Sequence, residues 1–220
     1  MAEDWYGNLG ENFDQEVQEQ ESKAKDYEEK SFSEMDYGVH KVIVKEAYLN
    51  LTDSGAKMFE VVYENRDGDT AQVSTYIGND KGVSTYKDKK TGEDKTLPGI
   101  FDIANLCKVV DLNMKELKPV AGKVSHYGQN RDVQIFQQLK DKKLTIALTG
   151  EESLGKDGVT VYTNKKISKF MDADGNFDGT NYVEAWEKRI EKRAVRPLPE
   201  NKKKAASAKD DENKKNVDSW

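Results

Sequence analysis

Residues 57–78 read KMFEVVYENRDGDTAQVSTYIG, and this stretch decides the predicted fold. Two runs rich in β-branched and aromatic residues flank a short polar turn in which Asp67 precedes Gly68. An Asp-Gly pair between alternating apolar runs predicts a β-hairpin, because glycine readily adopts the positive φ of tight hairpin turns. The alternation leaves open which of the two strand faces is the interior.

Further strands and two helices surround this hairpin. YGVHKVIVKEAYLNL (37–51) predicts the preceding strand, while KLTIALTGEE (143–152) and VTVYTNKKISKFM (159–171) predict a second hairpin. Between the hairpins, GIFDIANLCKVVDL (99–112) has the spacing of an amphipathic helix that starts at Pro98. In TNYVEAWEKRIEKRA (180–194), Tyr182, Trp186 and Ile190 recur every four residues and predict a C-terminal helix.

The order of these elements predicts a mainly β fold: a five-stranded OB-fold barrel with a helix between strands 3 and 4 and a C-terminal helix, flanked by disordered arms. A small β-sandwich would produce a similar pattern. Residues 113–139 give no clear strand signal, and QIFQQLKDKK (134–143) is interpreted as a short helix or a turn.

Charge divides the chain into three parts. Residues 1–36 contain 12 acidic residues and 3 lysines, which predicts an acidic, disordered arm. Residues 37–195 are predicted to form the folded domain, and residues 196–220 a disordered tail that ends in Trp220. The net charge of −6 therefore arises in the N-terminal arm, and the body has no strongly basic surface that would by itself indicate nucleic acid.

The composition argues against several classes of protein. The N-terminus lacks the apolar core of a secretory signal, and no apolar run approaches the ~20 residues of a membrane-spanning helix. Cys107 is the only cysteine, which is consistent with a reducing, cytoplasmic location. With two histidines, His40 and His126, and no glycine-rich phosphate loop, we expect neither an enzyme nor a cofactor or zinc site.

The segment from Asp174 to Glu184 partly matches a calcium-binding loop. Asp174, Asn176 and Asp178 fall at ligand positions 1, 3 and 5, but position 12 is Ala185 instead of a bidentate acid. The alternative is a turn that ends the last strand and caps the final helix through Thr180 or Asp178. We favour the turn.

Aromatic and basic residues recur near the predicted strand edges, as in sites that stack bases and track phosphates of single-stranded nucleic acid. The candidate DNA-binding residues are Lys41, Tyr76, Lys81, Tyr86, Lys87, Lys89, Lys90, Tyr127, Arg131, Tyr162, Lys165, Lys166 and Lys169. Each cluster is also compatible with a solvated loop or a half-buried strand.

The sequence from Tyr37 to Gly175 resembles the small single-stranded-DNA-binding proteins of bacteriophage replication and recombination modules. The likeness lies in YGVHKVIVKEAYLNLTDSGAKMFEVVYEN, LPGIFDIANLCKVVDL and KLTIALTGEES with VTVYTNKKISKFMDADG. It implies an OB fold, sequence-tolerant coating of single strands, and work beside a polymerase, helicase or recombinase.

The resemblance also suggests a role for the tail. Acidic C-termini that end in an aromatic recruit partners in many such proteins, which makes candidates of Asp210, Asp211, Glu212, Asp218 and Trp220. Lys214 and Lys215 interrupt the acids, and a frayed terminus is the alternative. The oligomeric state stays open.

Two other classes of function compete with DNA coating. A phage virion or assembly protein with no nucleic-acid activity would also be β-rich and acidic. A metal-dependent nuclease would need clustered carboxylates, and no spacing in the sequence requires such a cluster.

Overall fold

The structure, a computed structural model, describes residues 33–52, 54–88, 90–126, 129–155, 157–200 and 202. The strands are β1 (Gly38–Leu51), β2 (Lys57–Asn65), β3 (Thr70–Gly78), β4 (Thr85–Lys87), β5 (Asp94–Thr96), β6 (Val120–His126), β7 (Gln129–Ile135), β8 (Lys143–Leu154), β9 (Val161–Met171), β10 (Asn176–Phe177), β11 (Thr180–Asn181) and β12 (Val195–Arg196). The helices are α1 (Pro98–Val109) and α2 (Val183–Lys192), with single 3-10 turns at Met114–Glu116 and Gln137–Leu139. The mainly β class, both predicted hairpins and both predicted helices are confirmed.

The main sheet is antiparallel except at one short strand. Its central path runs β12-β8-β1-β2-β3, and β9 pairs with β8 along its whole length. The first half of β1 pairs with β8 and the rest with β2, with a register shift between Val44 and Glu46 that bends the strand. β12 joins β8 in parallel at Gly150 and Glu151.

The predicted closed barrel is not confirmed. Among the described residues no ladder of hydrogen bonds joins the edge strands β3 and β9, so the sheet is open between them. At this edge α1 begins directly against β3, where the Thr75 hydroxyl donates a hydrogen bond to Asp102 Oδ2 at 3.1 Å.

The main core lies between the inner face of the sheet and α1. Phe59, Val61 and Tyr63 of β2 are buried there, which identifies the interior face that the alternation left open. Their partners include Ile146 and Leu148 of β8. From α1 the core receives Ile103 and Cys107 of the predicted apolar face together with Leu106, and Val110 follows just after the helix.

A hairpin of β6 and β7, which the sequence did not predict, joins the sheet where β7 pairs with β1 at Tyr48 and Leu49, and its apolar side chains cover part of the outer face. Val124, Val133 and Ile135 contact Tyr48 and Val62 there. The short helix or turn predicted at 134–143 is the single 3-10 turn that follows β7.

Glu60 is the buried polar side chain of this outer face and is only 5% exposed. Its carboxylate accepts hydrogen bonds from the Tyr48 hydroxyl at 2.9 Å, from Asn50 Nδ2 at 2.9 Å and from Gln72 Nε2 at 2.8 Å. Burial, followed by the charge of Glu60, raises the pKa of Tyr48, which therefore stays a hydrogen-bond donor.

Helix α2 packs on a separate apolar cluster. Tyr182, Trp186 and Ile190 face Ala147 and Met171, as their four-residue spacing predicted. The predicted N-cap at Thr180 or Asp178 is wrong: the N-cap residue is Tyr182, and Asn181 just before it accepts a hydrogen bond from the Val183 amide through Oδ1 at 3.1 Å.

The segment that resembles a calcium loop forms a turn around Asp172. The Asp172 carboxylate accepts from the amides of Asn176 and Asp174 at 2.8 and 3.0 Å, and these contacts, led by Asn176, hold its pKa below the usual range. Asp178 pairs instead with Lys108. Within the described ranges, no group of three or more His, Cys, Asp or Glu side chains could hold a metal ion.

Short pieces of both predicted arms, next to the predicted boundaries at 36 and 196, pack on the body. Met35 is buried and its amide donates to the Thr70 carbonyl at 2.8 Å. At the other end Leu198 is buried, and its amide donates to Glu152 Oε2 at 2.8 Å. Each of these two polar segments therefore contributes one buried apolar side chain, Met35 or Leu198.

Candidate nucleic-acid interface

Two adjoining hollows lie at the open edge of the sheet. The first, the interstrand groove, has a volume of about 990 Å³ and runs between β3 and β9. Phe59, Val61, Tyr63 and Phe170 supply apolar surface on its floor. β3 contributes Tyr76 to one wall, β9 contributes Lys165 and Lys166 to the other, and the segment Arg196–Pro199 lies along it.

The second hollow, the hairpin cleft, lies between the β4–β5 hairpin and α1 and has a volume of about 410 Å³. Its lining residues are Tyr86, Lys95, Thr96, Pro98, Phe101 and Asp102. Pro98 and Asp102 also line the interstrand groove, so the two hollows meet at the first turns of α1.

Three aromatic side chains project into solvent around these hollows. Tyr76 is 54% exposed, Tyr86 is 44% exposed and Phe101 is 57% exposed. Because these large rings are not packed in the core, their faces are free to stack on another planar group. Tyr162 on β9 is similarly exposed, near the start of the strand and beside Gly155.

Phe101 is the main residue that the sequence analysis missed. It lies on α1 but is 57% exposed, away from the buried residues Ile103, Leu106 and Cys107. A phenylalanine on the polar side of an amphipathic helix was the signal that could have identified it. Lys95, opposite Tyr86 in the β4–β5 pairing, was missed as well.

Asp102 occupies the junction of the two hollows. Burial raises the pKa of its carboxyl group, while the Thr75 hydrogen bond and the charge of Lys166 lower it. The phenol of Tyr63, deeply buried in the neighbouring core, has its pKa raised by burial and then by the charge of Asp102. The charge of Asp102 therefore affects the neighbouring core as well as the two hollows that it lines.

The predicted lysines of β9 have different surroundings. Lys165 Nζ lies 2.7 Å from Glu34 Oε1 and donates to the Met35 carbonyl at 2.6 Å, so it ties down the N-terminal segment. Lys169 lies over the rings of Phe177 and Tyr182 at 3.6 and 4.4 Å from their centroids, toward α2. Lys166 pairs with Glu151 at 3.3 Å but remains half exposed at the groove.

The other candidates lie in several places. Lys81, Lys87 and Lys90 are exposed on and just before the β4–β5 hairpin. Lys41 on β1 and Arg131 on β7 are exposed but line neither hollow. The remaining predicted residues lie outside the described residues: Lys89, Tyr127, Asp210, Asp211, Glu212, Asp218 and Trp220.

Gly99 allows α1 to begin against β3. A Cβ atom at this position would lie 2.3 Å from the Tyr76 carbonyl oxygen and 2.7 Å from Thr75 Oγ1. We expect Gly99→Ala to lower the free energy of unfolding by about 1–3 kcal/mol, because backbone atoms cannot yield as a side chain can. Urea unfolding followed by circular dichroism measures this change.

Gly78→Ala is the matched control, since a Cβ there meets only ordinary contacts at 3.6 Å or more. Equal effects of the two substitutions would contradict the close approach of α1 and β3.

Comparison with known proteins adds no identification. The sequence matches no protein-family model, and no curated protein is significantly similar to it. Among the described helices, neither has the length and apolar character needed to cross a membrane.

Proposed function

We propose that this protein binds single-stranded DNA without strong sequence preference and coats it as a non-enzymatic partner of replication or recombination proteins. The observation that carries the proposal is the set of exposed rings, Tyr76, Tyr86 and Phe101, around two joined hollows that lysines also line. Single-strand sites combine these two elements, because every base has a face that can stack and every nucleotide has a phosphate.

The strand order supports an OB fold as the framework of this site. β3-β2-β1-β8-β9, with α1 between β3 and β8, matches a five-stranded OB barrel in which the third and fifth strands face each other. Such barrels are often partly open, and they bind oligonucleotides on the face of their second and third strands and on the loop between their fourth and fifth. Tyr76 and Tyr162 occupy corresponding places on β3 and beside the β8–β9 connection.

The charge of the body shapes the expected affinity. Because acidic and basic residues nearly balance between residues 37 and 199, binding depends on local lysines and on stacking more than on a long-range field. The resemblance to phage single-stranded-DNA-binding proteins favours the replication context. Partner recruitment through Asp210, Asp211, Glu212, Asp218 and Trp220 belongs to the same proposal.

Salt dependence tests the electrostatic part of the site. Each phosphate contact to a single strand contributes a slope of about −0.7 to a plot of log K against log salt. Lys95 and Lys166 line the two hollows, and their side chains stay 44% and 54% exposed in their ion pairs with Asp88 and Glu151, so both can turn to phosphates. The Lys95→Ala, Lys166→Ala double variant should reduce the slope by about 1.4 in an anisotropy titration with oligo-dT.

Lys188→Ala on α2 removes a comparable exposed lysine and should leave the slope unchanged. If the double variant kept the full slope, the phosphates would follow another path across the surface. If the wild-type protein did not bind oligo-dT, the proposed function would be wrong.

A further inference from the structure

One carboxylate lines both hollows, next to the exposed aromatic rings. Asp102 lines both the interstrand groove and the hairpin cleft, and it is the one acidic residue lining the cleft, between Tyr86 on the hairpin and Phe101 on α1. Its negative charge opposes binding of phosphates, as do the charges of Glu34, Glu151 and Glu152 in the interstrand groove, so a role for Asp102 in strand binding must come from something other than phosphate contact.

The hydrogen-bonding capacity of Asp102 is only partly used. Oδ2 accepts the Thr75 hydroxyl at 3.1 Å. Over the described part of the chain, Oδ1 receives no hydrogen bond, and Lys166 acts on Asp102 from beyond ion-pair distance while pairing with Glu151. An ionised carboxylate accepts hydrogen bonds only, and its two oxygens have room for about four. Because Asp102 is half buried, a hydrogen bond from an additional donor to its carboxylate would be stronger than the same bond in bulk water.

The edges of the bases differ in what they offer such an acceptor. Cytosine, adenine and guanine carry an exocyclic amino group that donates, and acidic side chains accept from the amino group of cytosine. Where cytosine and adenine have this amino group thymine presents a carbonyl oxygen, which a carboxylate repels, and the guanine amino group lies elsewhere on its edge. A base stacked on Phe101 or Tyr86 would bring this difference to Asp102.

We propose that Asp102 gives the single-strand site a preference for bases with an exocyclic amino group over thymine. The inference rests on the proposed function, since it assumes that a strand enters the two hollows. It adds a specificity-determining residue to a site whose other contacts, stacking and phosphate pairing, do not distinguish bases.

The test compares oligo-dC and oligo-dT of equal length at pH 7.5, with the full chain and with Asp102→Asn. Asparagine keeps the shape of the side chain but adds an NH₂ donor that suits the thymine carbonyl. The ratio of Kd for dT to Kd for dC should fall by about tenfold in Asp102→Asn, the scale of one base-reading contact. Using the ratio removes any gain in affinity that comes only from the loss of one negative charge.

Two further variants sharpen the result. Asp94→Asn also removes a charge, from an exposed position on β5 that lines neither hollow, so its ratio should equal that of the wild-type protein. Asp102→Ala, which has neither acceptor nor donor, should give an intermediate ratio. Circular dichroism melting of each variant verifies that the fold is kept.

The outcomes separate this inference from the proposed function. If wild type and Asp102→Asn bind both oligonucleotides with the same ratio within twofold, the role of Asp102 is overturned and single-strand binding stands. If the wild-type protein binds neither oligonucleotide, both proposals fail together.

Discussion

Replacing Tyr76, Tyr86 and Phe101 together by alanine is expected to weaken binding of oligo-dT by at least about a hundredfold. Stacking of one base on one aromatic side chain contributes about 1–3 kcal/mol, and each 1.4 kcal/mol corresponds to a factor of ten in Kd. Three rings at the lower end of this range already account for a hundredfold loss. Titration of a fluorescent oligo-dT, followed by anisotropy, measures it.

The stability of this triple variant should change little, because all three rings are about half exposed and the core does not depend on them. The matched control replaces three exposed apolar side chains that line neither hollow, Leu51, Met114 and Val120, by alanine. A loss of affinity in the control as large as in the triple variant would show that the three rings are not the stacking surface.

Glu60→Ala is expected to lower the free energy of unfolding by about 3 kcal/mol. The substitution leaves the Tyr48 hydroxyl and the side-chain amides of Asn50 and Gln72 without their shared acceptor. Each buried donor left without an acceptor lowers the free energy of unfolding by about 1–3 kcal/mol. Water that enters the space left by the glutamate can bind some of these donors, so the total loss is smaller than the sum of the three. Urea unfolding measures the difference, and DNA affinity extrapolated to the folded fraction should be retained.

Glu64→Ala on the same strand is the control. Among the described residues its carboxylate pairs with the exposed Lys45 alone, and such surface pairs contribute about 0–1 kcal/mol. A cost for Glu60→Ala no larger than that for Glu64→Ala would mean that the outer-face network does not stabilise the sheet.

The two hairpins and the two helices could be predicted because their signals are local. The Asp67-Gly68 turn lies between alternating runs, Pro98 stands at the first position of α1, and the spacing of Tyr182, Trp186 and Ile190 defines one face of α2. These features depend on neighbours a few residues apart, so the amino-acid order alone contains them.

The β6–β7 hairpin could not be predicted because its partners are distant in sequence. Its described apolar face consists of Val124, Val133 and Ile135, which pack on Tyr48 and Val62. Glu60 is buried on the same outer face, and its hydrogen-bond partners Tyr48 and Gln72 come from β1 and β3, which are also distant in sequence. An isolated Glu in an alternating strand otherwise indicates a solvent-exposed position.

The candidate site was only partly predictable for a related reason. Tyr76 and Tyr86 belong to aromatic and lysine-rich segments that the sequence analysis singled out, and the fold places both around the joined hollows. Lys165 and Lys169 belong to an equally basic segment, yet one binds Glu34 and Met35 and the other lies over Phe177. Charge in the sequence does not show whether a lysine faces solvent or a neighbour.

The most direct test of the central claim is a titration of the protein with fluorescent oligo-dT and with a duplex of matched length, at low and at high salt. The proposal predicts strong preference for the single strand at low salt, because paired bases cannot offer their faces to Tyr76, Tyr86 and Phe101. It also predicts an affinity that falls as salt rises. Equal binding of the two nucleic acids, or binding of neither, would contradict it.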